Sequence, residues 1–325
     1  MTLSIVTTLY CSAPHLEEFY RRARAAAETV NTDYEIVFVN DGSPDDSLLI
    51  ALDLVERDPR VRVVDLARNF GHHKAMMTGL RYARGKLVFL IDADLEEDPE
   101  LLMAFAAALD TAAGDVDVVY GVQQERRGDW FERWSGRIYF WLFNLVSDYP
   151  IPENVLTVRL MTRRYVSALL SHGEREMVIS GLWVLAGFRQ VPVAVTKHAR
   201  SKTTYGLRRK IAVLVNSVTS FSSRPLVYIF YLGVGIGALA GVAAAYLVIR
   251  RVFFGVLLPG WPSLIVSLWL LGGMILACLG IIGIYLSKIF IETKQRPYTI
   301  VRSVHERTAD PAEPRDPRDG RPLLH

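Results

Sequence analysis

The chain has 325 residues, is 51% hydrophobic and carries a formal net charge of +3, with a mean hydropathy of +0.21. That charge is too small to argue for a nucleic-acid partner, and the apolar content is high for a wholly soluble enzyme. The two cysteines, Cys11 and Cys278, fall in regions of different character, so no disulfide framework is expected.

Met1 leads directly into a β-like run, and no signal peptide is expected. Leu3–Leu9 is that first short β-branched run, followed by helical spacing over about Leu16–Val30. Glu35–Val39 is apolar and ends in Asn40-Asp41-Gly42-Ser43. Ser47–Arg57 has helical spacing, Val61–Leu66 reads as the next strand, and Lys74–Ala83 as a helix. Leu87–Ile91 is a strand, Asp98–Asp110 a helix, and Val116–Val122 a further strand. This alternation predicts an α/β domain with a mainly parallel sheet and helices on both faces. Ligands of such sheets bind beyond the carboxyl ends of the strands. The polar clusters Asn40-Asp41-Gly42, Arg68-Asn69-Phe70-Gly71 and Asp92-Ala93-Asp94 all stand at such ends.

Asp92-Ala93-Asp94 carries the sharpest chemistry. Hard divalent ions take oxygen ligands, and one or two carboxylates plus phosphate oxygens suffice for them. A solvated loop or helix cap is the alternative for so short a motif. Asp41 has the acceptors for a pyrimidine edge, and Gly42 lets backbone approach closely; an ordinary Asp-Gly-Ser turn is the alternative there. Arg68 and Asn69 could meet base or phosphate, or simply face solvent. His72 and His73 have no partner ligands at metal-site spacing and read as loop or helix-start residues.

Two uncharged runs, Leu226–Ile249 and Val252–Ser287, dominate the C-terminal third. The first would reach about 36 Å as a helix, enough to cross a hydrocarbon core of about 30 Å. Pro259, Gly260 and Pro262 interrupt the start of the second, so the pattern predicts a transmembrane hairpin. Arg200, Lys202, Arg208, Arg209, Lys210 and Arg224 precede it and Lys288, Lys294 and Arg296 follow it; only Arg250 and Arg251 sit at the turn end. The positive-inside rule then predicts that the large domain and the tail are cytoplasmic. The expected division is a catalytic domain over 1–222, the hairpin over 223–289 and a tail over 290–325. Pro, Asp and Arg dominate that tail from about 307, and disorder is expected there. Interfacial helices are expected near 130–147 and 206–222.

The order of motifs resembles a family 2 glycosyltransferase of the membrane-anchored polyprenyl-phosphate type, related to dolichyl-phosphate mannose synthase and undecaprenyl-phosphate glycosyltransferases. The resemblance rests on Val39-Asn40-Asp41-Gly42-Ser43, Arg68-Asn69-Phe70-Gly71, Asp92-Ala93-Asp94-Leu95 and Arg159-Leu160-Met161. It continues through Ser217-Val218-Thr219-Ser220-Phe221-Ser222 and Ile291-Glu292-Thr293-Lys294-Gln295-Arg296-Pro297. It implies a GT-A fold and inverting transfer of one sugar from a nucleotide-sugar donor, expected to be UDP-linked, to a polyprenyl (undecaprenyl) phosphate. Asp41, Gly42, Arg68 and Asn69 would then bind donor, while Asp92 and Asp94 organise Mg²⁺ or Mn²⁺ and the diphosphate. The product would feed surface-polysaccharide or glycan-modification steps.

Two departures stand out. Many relatives carry Gln where this chain has Glu96, which becomes a third candidate metal ligand or points away. Relatives often read Gly-Asp-Phe-Arg-Leu-Met where this chain reads Leu156-Thr157-Val158-Arg159-Leu160-Met161, so Thr157 takes the place of a proposed base or acceptor-site Asp. A phosphate monoester with a second pKa near about 6 is largely dianionic at neutral pH, so it needs no strong base. Thr157 is kept as a candidate catalytic residue.

Acceptor binding calls for cations at headgroup level. Arg126, Arg133 and Arg137 lie around Trp130, Phe131 and Trp134, the composition of an interfacial amphipathic helix; an ordinary packed helix is the alternative. Arg200 and Lys202 resemble a basic loop that closes over phosphate, though its glycine is missing, and they equally fit a positive membrane flank. Small residues such as Gly233, Gly237 and Gly241 permit a homo-oligomer or packing within the hairpin. Two alternatives remain: a transferase that extends a lipid-linked saccharide, and a degenerate nucleotide-sugar-binding membrane protein.

Overall fold

The computed structural model describes residues 2–112, 114–123, 154–175, 179–197, 219, 222, 224–254 and 260–307. Its first half alternates strand and helix as the periodicity predicts: β1 (Leu3–Leu9), α1 (Ala13–Val30), β2 (Tyr34–Asn40), α2 (Ser47–Arg57), β3 (Val61–Leu66), α3 (His72–Tyr82), β4 (Leu87–Leu90) and α4 (Leu101–Thr111). There follow β5 (Val118–Gln123), β6 (Val155–Thr162), α5 (Arg163–Ser171), α6 (Ile179–Leu185) and β7 (Gln190–Val195). Two long helices, α7 (Arg224–Phe254) and α8 (Trp261–Thr293), precede a last strand, β8 (Val301–Glu306).

All eight strands form one sheet in the order β7-β5-β6-β4-β1-β2-β3-β8. β3, β2, β1 and β4 run parallel, and β5 runs parallel to β7. β6 and β8 are antiparallel to their neighbours. The chain builds outward from β1 to β3 and then crosses back to place β4 on the other side of β1. Order therefore reverses between β1 and β4, which is the switch point where open α/β sheets bind ligands.

Every residue of β1, β2 and β3 is buried, as expected of parallel strands covered on both faces. Alternate side chains go to opposite layers. Ile5, Ile36, Phe38, Val63 and Phe89 pack with Leu16 and Phe19 of α1, Leu54 of α2 and Phe105 of α4. Val6, Val37, Val39, Val64 and Leu90 pack with Met76 and Leu80 of α3, Tyr165 of α5 and Leu182 of α6. Burying each large aliphatic side chain contributes about 1.5–3 kcal/mol, and this double layer carries most of the fold's stability. Gly79 lets α3 lie close on the sheet: a Cβ there would stand 2.5 Å from Val6 Cγ1 and 2.9 Å from Val39 Cγ2.

The end of the chain differs from expectation. The segment expected as a tail from residue 290 includes the end of α8 and then β8, which pairs antiparallel with β3 from Arg62↔Glu306 to Leu66↔Val301. The reason is legible afterwards: Val301, Ser303 and His305 alternate with exposed neighbours, and a charged edge strand lacks the apolar run that marks a buried one. The residues read as disordered fall mainly on 308–325, outside the described residues, as do nearly all of those expected as interfacial helices.

Two compact units result, one holding the sheet with its helices and the other holding α7 and α8. Within the second unit, Arg224–Ala243 and Ser267–Thr293 are each long and apolar enough to cross a membrane. Large apolar side chains such as Leu239, Trp269 and Leu276 are more than 70% exposed, a surface that water does not tolerate as a contiguous patch. α7 continues through Arg250 and Arg251 to Phe254 rather than stopping before them. Tyr285 Oη donates to the Ser222 carbonyl at 2.7 Å, which ties α8 to the approach to α7.

Candidate active site

The carboxyl ends of β1 to β4 enclose a cleft of about 320 Å³, lined by Thr8, Tyr10, Ser12, Asp41, Asn69, His72, Asp92, Ala93 and Asp94. Four of the residues singled out from sequence, Asp41, Asn69, Asp92 and Asp94, thus meet in one place from three different strand ends.

Asp41 follows β2 and is buried, with 3% of its surface exposed. Its Oδ1 accepts the Phe70 N–H at 2.7 Å and its Oδ2 the Gly71 N–H at 3.0 Å. It therefore braces the loop after β3 as well as facing the cleft. Burial pushes its pKa up, and those two backbone donors pull the other way. Gly42 has φ of +60°, and a Cβ there would lie 2.5 Å from Asn69 N and 2.6 Å from the Arg68 carbonyl carbon. Only glycine combines that conformation with so close an approach. Arg68 itself does not line the cleft; its Nη1 donates to the Asn69 carbonyl at 2.9 Å and its guanidinium lies 4.0 Å from the Phe70 ring centre.

Below this turn, Asp45 organises the surrounding backbone. Its Oδ1 accepts from Ser43 Oγ and Ser47 Oγ, each at 2.6 Å, and its Oδ2 accepts the Ala13 N–H at 3.0 Å. Burial opposes ionisation there, but the Ser43, Ser47 and Ala13 donors outweigh it and hold the carboxyl at about 2.

Asp92 and Asp94 emerge past β4. Asp92 Oδ1 is buried without a hydrogen bond, and His72 Nε2 stands 3.3 Å from it. Burial pushes the Asp94 pKa up and the Asp92 and Glu96 carboxylates add to that, against the Glu96 N–H that Asp94 accepts. Two carboxylates brought so close favour a cation between them. Glu96 is turned to another partner: Lys197, just past β7, places Nζ 2.9 Å from Glu96 Oε2 and 3.4 Å from Glu97 Oε1.

Thr157 lies in β6. The register sets Arg159 opposite Leu90, so Thr157, two residues earlier on an antiparallel strand, reaches the same end of the sheet as Asp92. It does not line the cleft. Arg159 locks the strand beneath it. Its guanidinium is 3.0 Å from the Trp183 ring centre and donates to the Thr157 and Leu156 carbonyls, each at 3.2 Å; burial pushes its pKa down to about 9. Arg126, Arg133, Arg137, Arg200 and Lys202 lie outside the described residues.

Sequence reasoning gave no site role to four contributors. His72 opens α3, shares a hydrogen bond between its Nδ1 and Thr8 Oγ1 at 3.0 Å and meets Asp92 through Nε2. Burial works against its protonation, but Asp92, Asp41 and Asp94 outweigh that and raise its pKa. Its position directly after Gly71, at a helix start beyond a strand end, was the available signal. Lys197 had none, because its partners lie about a hundred residues away. Tyr10 and Ser12 line the cleft only because β1 is central.

Comparison with known proteins agrees with this geometry. The model of the family described as "Glycosyl transferase family 2" matches residues 4–170, half of the chain. A protein of Mycobacterium tuberculosis described as "Putative glycosyltransferases" is 53% identical over 100% of this chain and 94% of its own. The "Bactoprenol glucosyl transferase" of Shigella phage SfII is 31% identical over 94% of this chain and 99% of its own. Among solved structures, a mannosyltransferase from Pyrobaculum calidifontis in complex with GDP-Man and Mn²⁺ aligns with 89% of this chain and 84% of its own, at 16% identity and a TM-score of 0.48. With its mixed, mainly parallel GT-A-type sheet and its cleft at the switch point, the chain belongs to glycosyl transferase family 2.

Proposed function

We propose that the chain transfers a single sugar, with inversion, from a nucleotide-sugar donor to a polyprenyl phosphate at the cytoplasmic face of a membrane. The observation that carries this reading is the meeting of Asp41, Asn69, Asp92 and Asp94 in one cleft, in a chain that also bears two exposed apolar helices. Relatives named bactoprenol glucosyl transferases, matched along nearly their whole length, support the lipid acceptor. A UDP-linked donor is the first choice because Asp41 and Asn69 offer acceptor and donor groups to a pyrimidine edge.

The residues fit a divalent cation of the Mg²⁺ or Mn²⁺ kind. Asp92 Oδ1 is a buried oxygen with His72 Nε2 3.3 Å away and no closer hydrogen bond among the described residues, Asp94 is beside it, and among the described residues no cluster of three or more ligating side chains forms. That is the donor set of an ion held by one or two carboxylates and completed by phosphate oxygens and water. When bound, such an ion would neutralise charge on the departing diphosphate. Asp41 and the Gly42 turn would hold the base, and the loop Arg68–Gly71 would close the wall beside it. Much of the rate would come from alignment of the two phosphorylated substrates. Arg126, Arg133, Arg137, Arg200 and Lys202 are proposed to meet the acceptor phosphate, and the boundaries 1–222 and 223–289 to separate catalysis from anchoring.

The test is transfer to undecaprenyl phosphate in nanodiscs, with a panel of nucleotide sugars, Mg²⁺ or Mn²⁺, and EDTA controls. An EDTA-sensitive monosaccharide–phosphate–lipid is expected. Donor binding without product on bare lipid phosphate would move the assignment to a transferase that extends a lipid-linked saccharide, or to a binding protein without turnover.

A further inference from the structure

The wall of the cleft that carries Asp41 consists of two turns, Asn40–Ser43 and Arg68–Gly71, and both are held from one buried carboxylate. Asp65 belongs to β3, and only 3% of its side chain is exposed. Its Oδ1 accepts from Asn40 Nδ2 at 2.7 Å, and Asn40 Oδ1 in turn accepts the Ser43 N–H at 3.2 Å, closing the turn around Asp41 and Gly42. The Asp65 Oδ2 faces Arg302 Nη1 at 3.1 Å. Arg302 Nη2 donates to the Ala67 carbonyl at 2.8 Å, directly before Arg68. The Ala67 N–H donates to the Ile300 carbonyl at 2.9 Å.

The pairing of β8 is irregular at this point. Asp65 lies opposite Ser303 and Leu66 opposite Val301, which leaves Arg302 as the unmatched residue of a bulge. Bulges redirect a side chain and break the ladder's regular alternation. Here the break lets one guanidinium span a carboxylate on β3 and the carbonyl that begins the next turn, the two-pronged geometry for which arginine is suited.

We propose that Arg302 is a positioning residue for donor binding: through Asp65 and Ala67 it fixes both turns that carry Asp41, Gly42 and Asn69. This rests on the reading of the cleft as a nucleotide-sugar site. Arg302 is itself 58% exposed at its side chain and is not among the residues lining the cleft. Without it, the Asp65 side chain keeps only Asn40 among the described residues, and the turn beyond Asn40 is free to drift from the loop it abuts. The effect falls on nucleotide binding. Asp92 and Asp94 are carried by β4, on the far side of β1, and keep their geometry. The strand that follows the second long helix is thus a working part of the donor pocket.

Glu306, at the other end of β8, supplies the control. It pairs with Arg62 at 2.7 Å and with Arg84 at 3.0 Å, so Glu306→Gln loosens the same strand without touching Asp65. The experiment uses the full chain in nanodiscs with Mg²⁺. Binding of UDP, GDP and dTDP to the wild type is measured by calorimetry, and the tightest is carried to the variants. Arg302→Ala, or Arg302→Gln if the alanine variant is poorly folded, is expected to weaken binding about fivefold or more. Arg302→Lys, whose single ammonium cannot span both groups, recovers only part of that loss, and Glu306→Gln stays within about twofold of wild type. In turnover, Arg302→Ala raises the KM for donor and leaves kcat within about twofold. Wild-type affinity in Arg302→Ala, or an equal loss in Glu306→Gln, overturns the positioning role while leaving the cleft assignment standing. Failure of the wild type to bind any of the three overturns the cleft assignment, and this inference falls with it.

Discussion

Lys197 Nζ lies 3.4 Å from Oε1 of Glu97, a carboxyl group with only 1% of its side chain exposed. Burial, reinforced by Asp92, pushes the Glu97 pKa up to about 7 although Lys197 pulls it down. Burial likewise works against the Lys197 ammonium, but Glu97, Glu96 and Asp94 outweigh it and raise its pKa. The lysine therefore stays charged and serves an acidic cluster that holds more negative groups than one cation can balance. Glu97 Oε2 is left without a hydrogen bond among the described residues.

A stability change with pH follows. Below the ordinary value of 4.5, Glu97 is protonated in folded and unfolded chains alike. Between there and about 7 the folded state keeps a proton that the unfolded chain releases, so this contribution is lost as pH rises through that window. Its size is at most about 3 kcal/mol. The check is thermal unfolding in detergent at several pH values, comparing wild type with Glu97→Gln. The wild type is expected to lose stability relative to the variant across the window; parallel curves would show that Glu97 is not the group responsible.

Asp92 and Asp94 form a unit in the proposed reaction, since a cation held by both loses its site when either is neutralised. Asp92→Asn and Asp94→Asn are each expected to lower transfer by about 10²-fold or more, and the double variant by little beyond the worse single one. Additive losses in the double variant would mean that the two carboxylates act separately. Circular dichroism and membrane insertion provide the folding control.

Gly42→Ala tests the close turn. The new Cβ meets the backbone of Arg68 and Asn69 at a φ of +60°, so the loop after β3 has to move or the turn has to open. A cost of about 1–3 kcal/mol in stability is expected, with nucleotide affinity reduced at least tenfold. Unchanged affinity would remove this turn from the donor site.

Much of this was legible in the chain. Regular apolar periods gave α2 and β3 to the residue, because both are bounded by polar breaks. The strand-end clusters held Asp41, Asn69, Asp92 and Asp94 for the same reason: a parallel sheet puts strand ends together. What escaped depended on contacts distant in sequence. Arg302 reaches Asp65 across 237 residues, and Lys197 reaches Glu96 from a different strand. Neither pairing leaves a local pattern. β8 was missed because an edge strand whose apolar positions are broken by Arg302, Ser303 and Glu306 reads as loop, and β6 was missed as a strand altogether, its residues having been read only as a motif segment.

Thr157 gives the sharpest test of how the proposed acceptor is activated. It occupies the place where related chains of the lipid-phosphate type were expected to carry Asp, and the β6 register brings it to the end of the sheet that holds Asp92. If the nucleophile were a hydroxyl, the missing base would cost about 10²–10⁴ in rate, and Thr157→Asp would recover a comparable factor. A phosphate monoester loses its second proton near about pH 6 and is already the nucleophile at neutral pH. Thr157→Asp is therefore expected to leave kcat within about threefold of wild type. The added carboxylate would also repel the incoming phosphate, so the KM for lipid acceptor should rise. In both proteins kcat should fall on the acid side with a midpoint near about pH 6, set by the substrate instead of the enzyme. A rise in kcat of a hundredfold or more in Thr157→Asp would show that this position lacks a base the reaction needs.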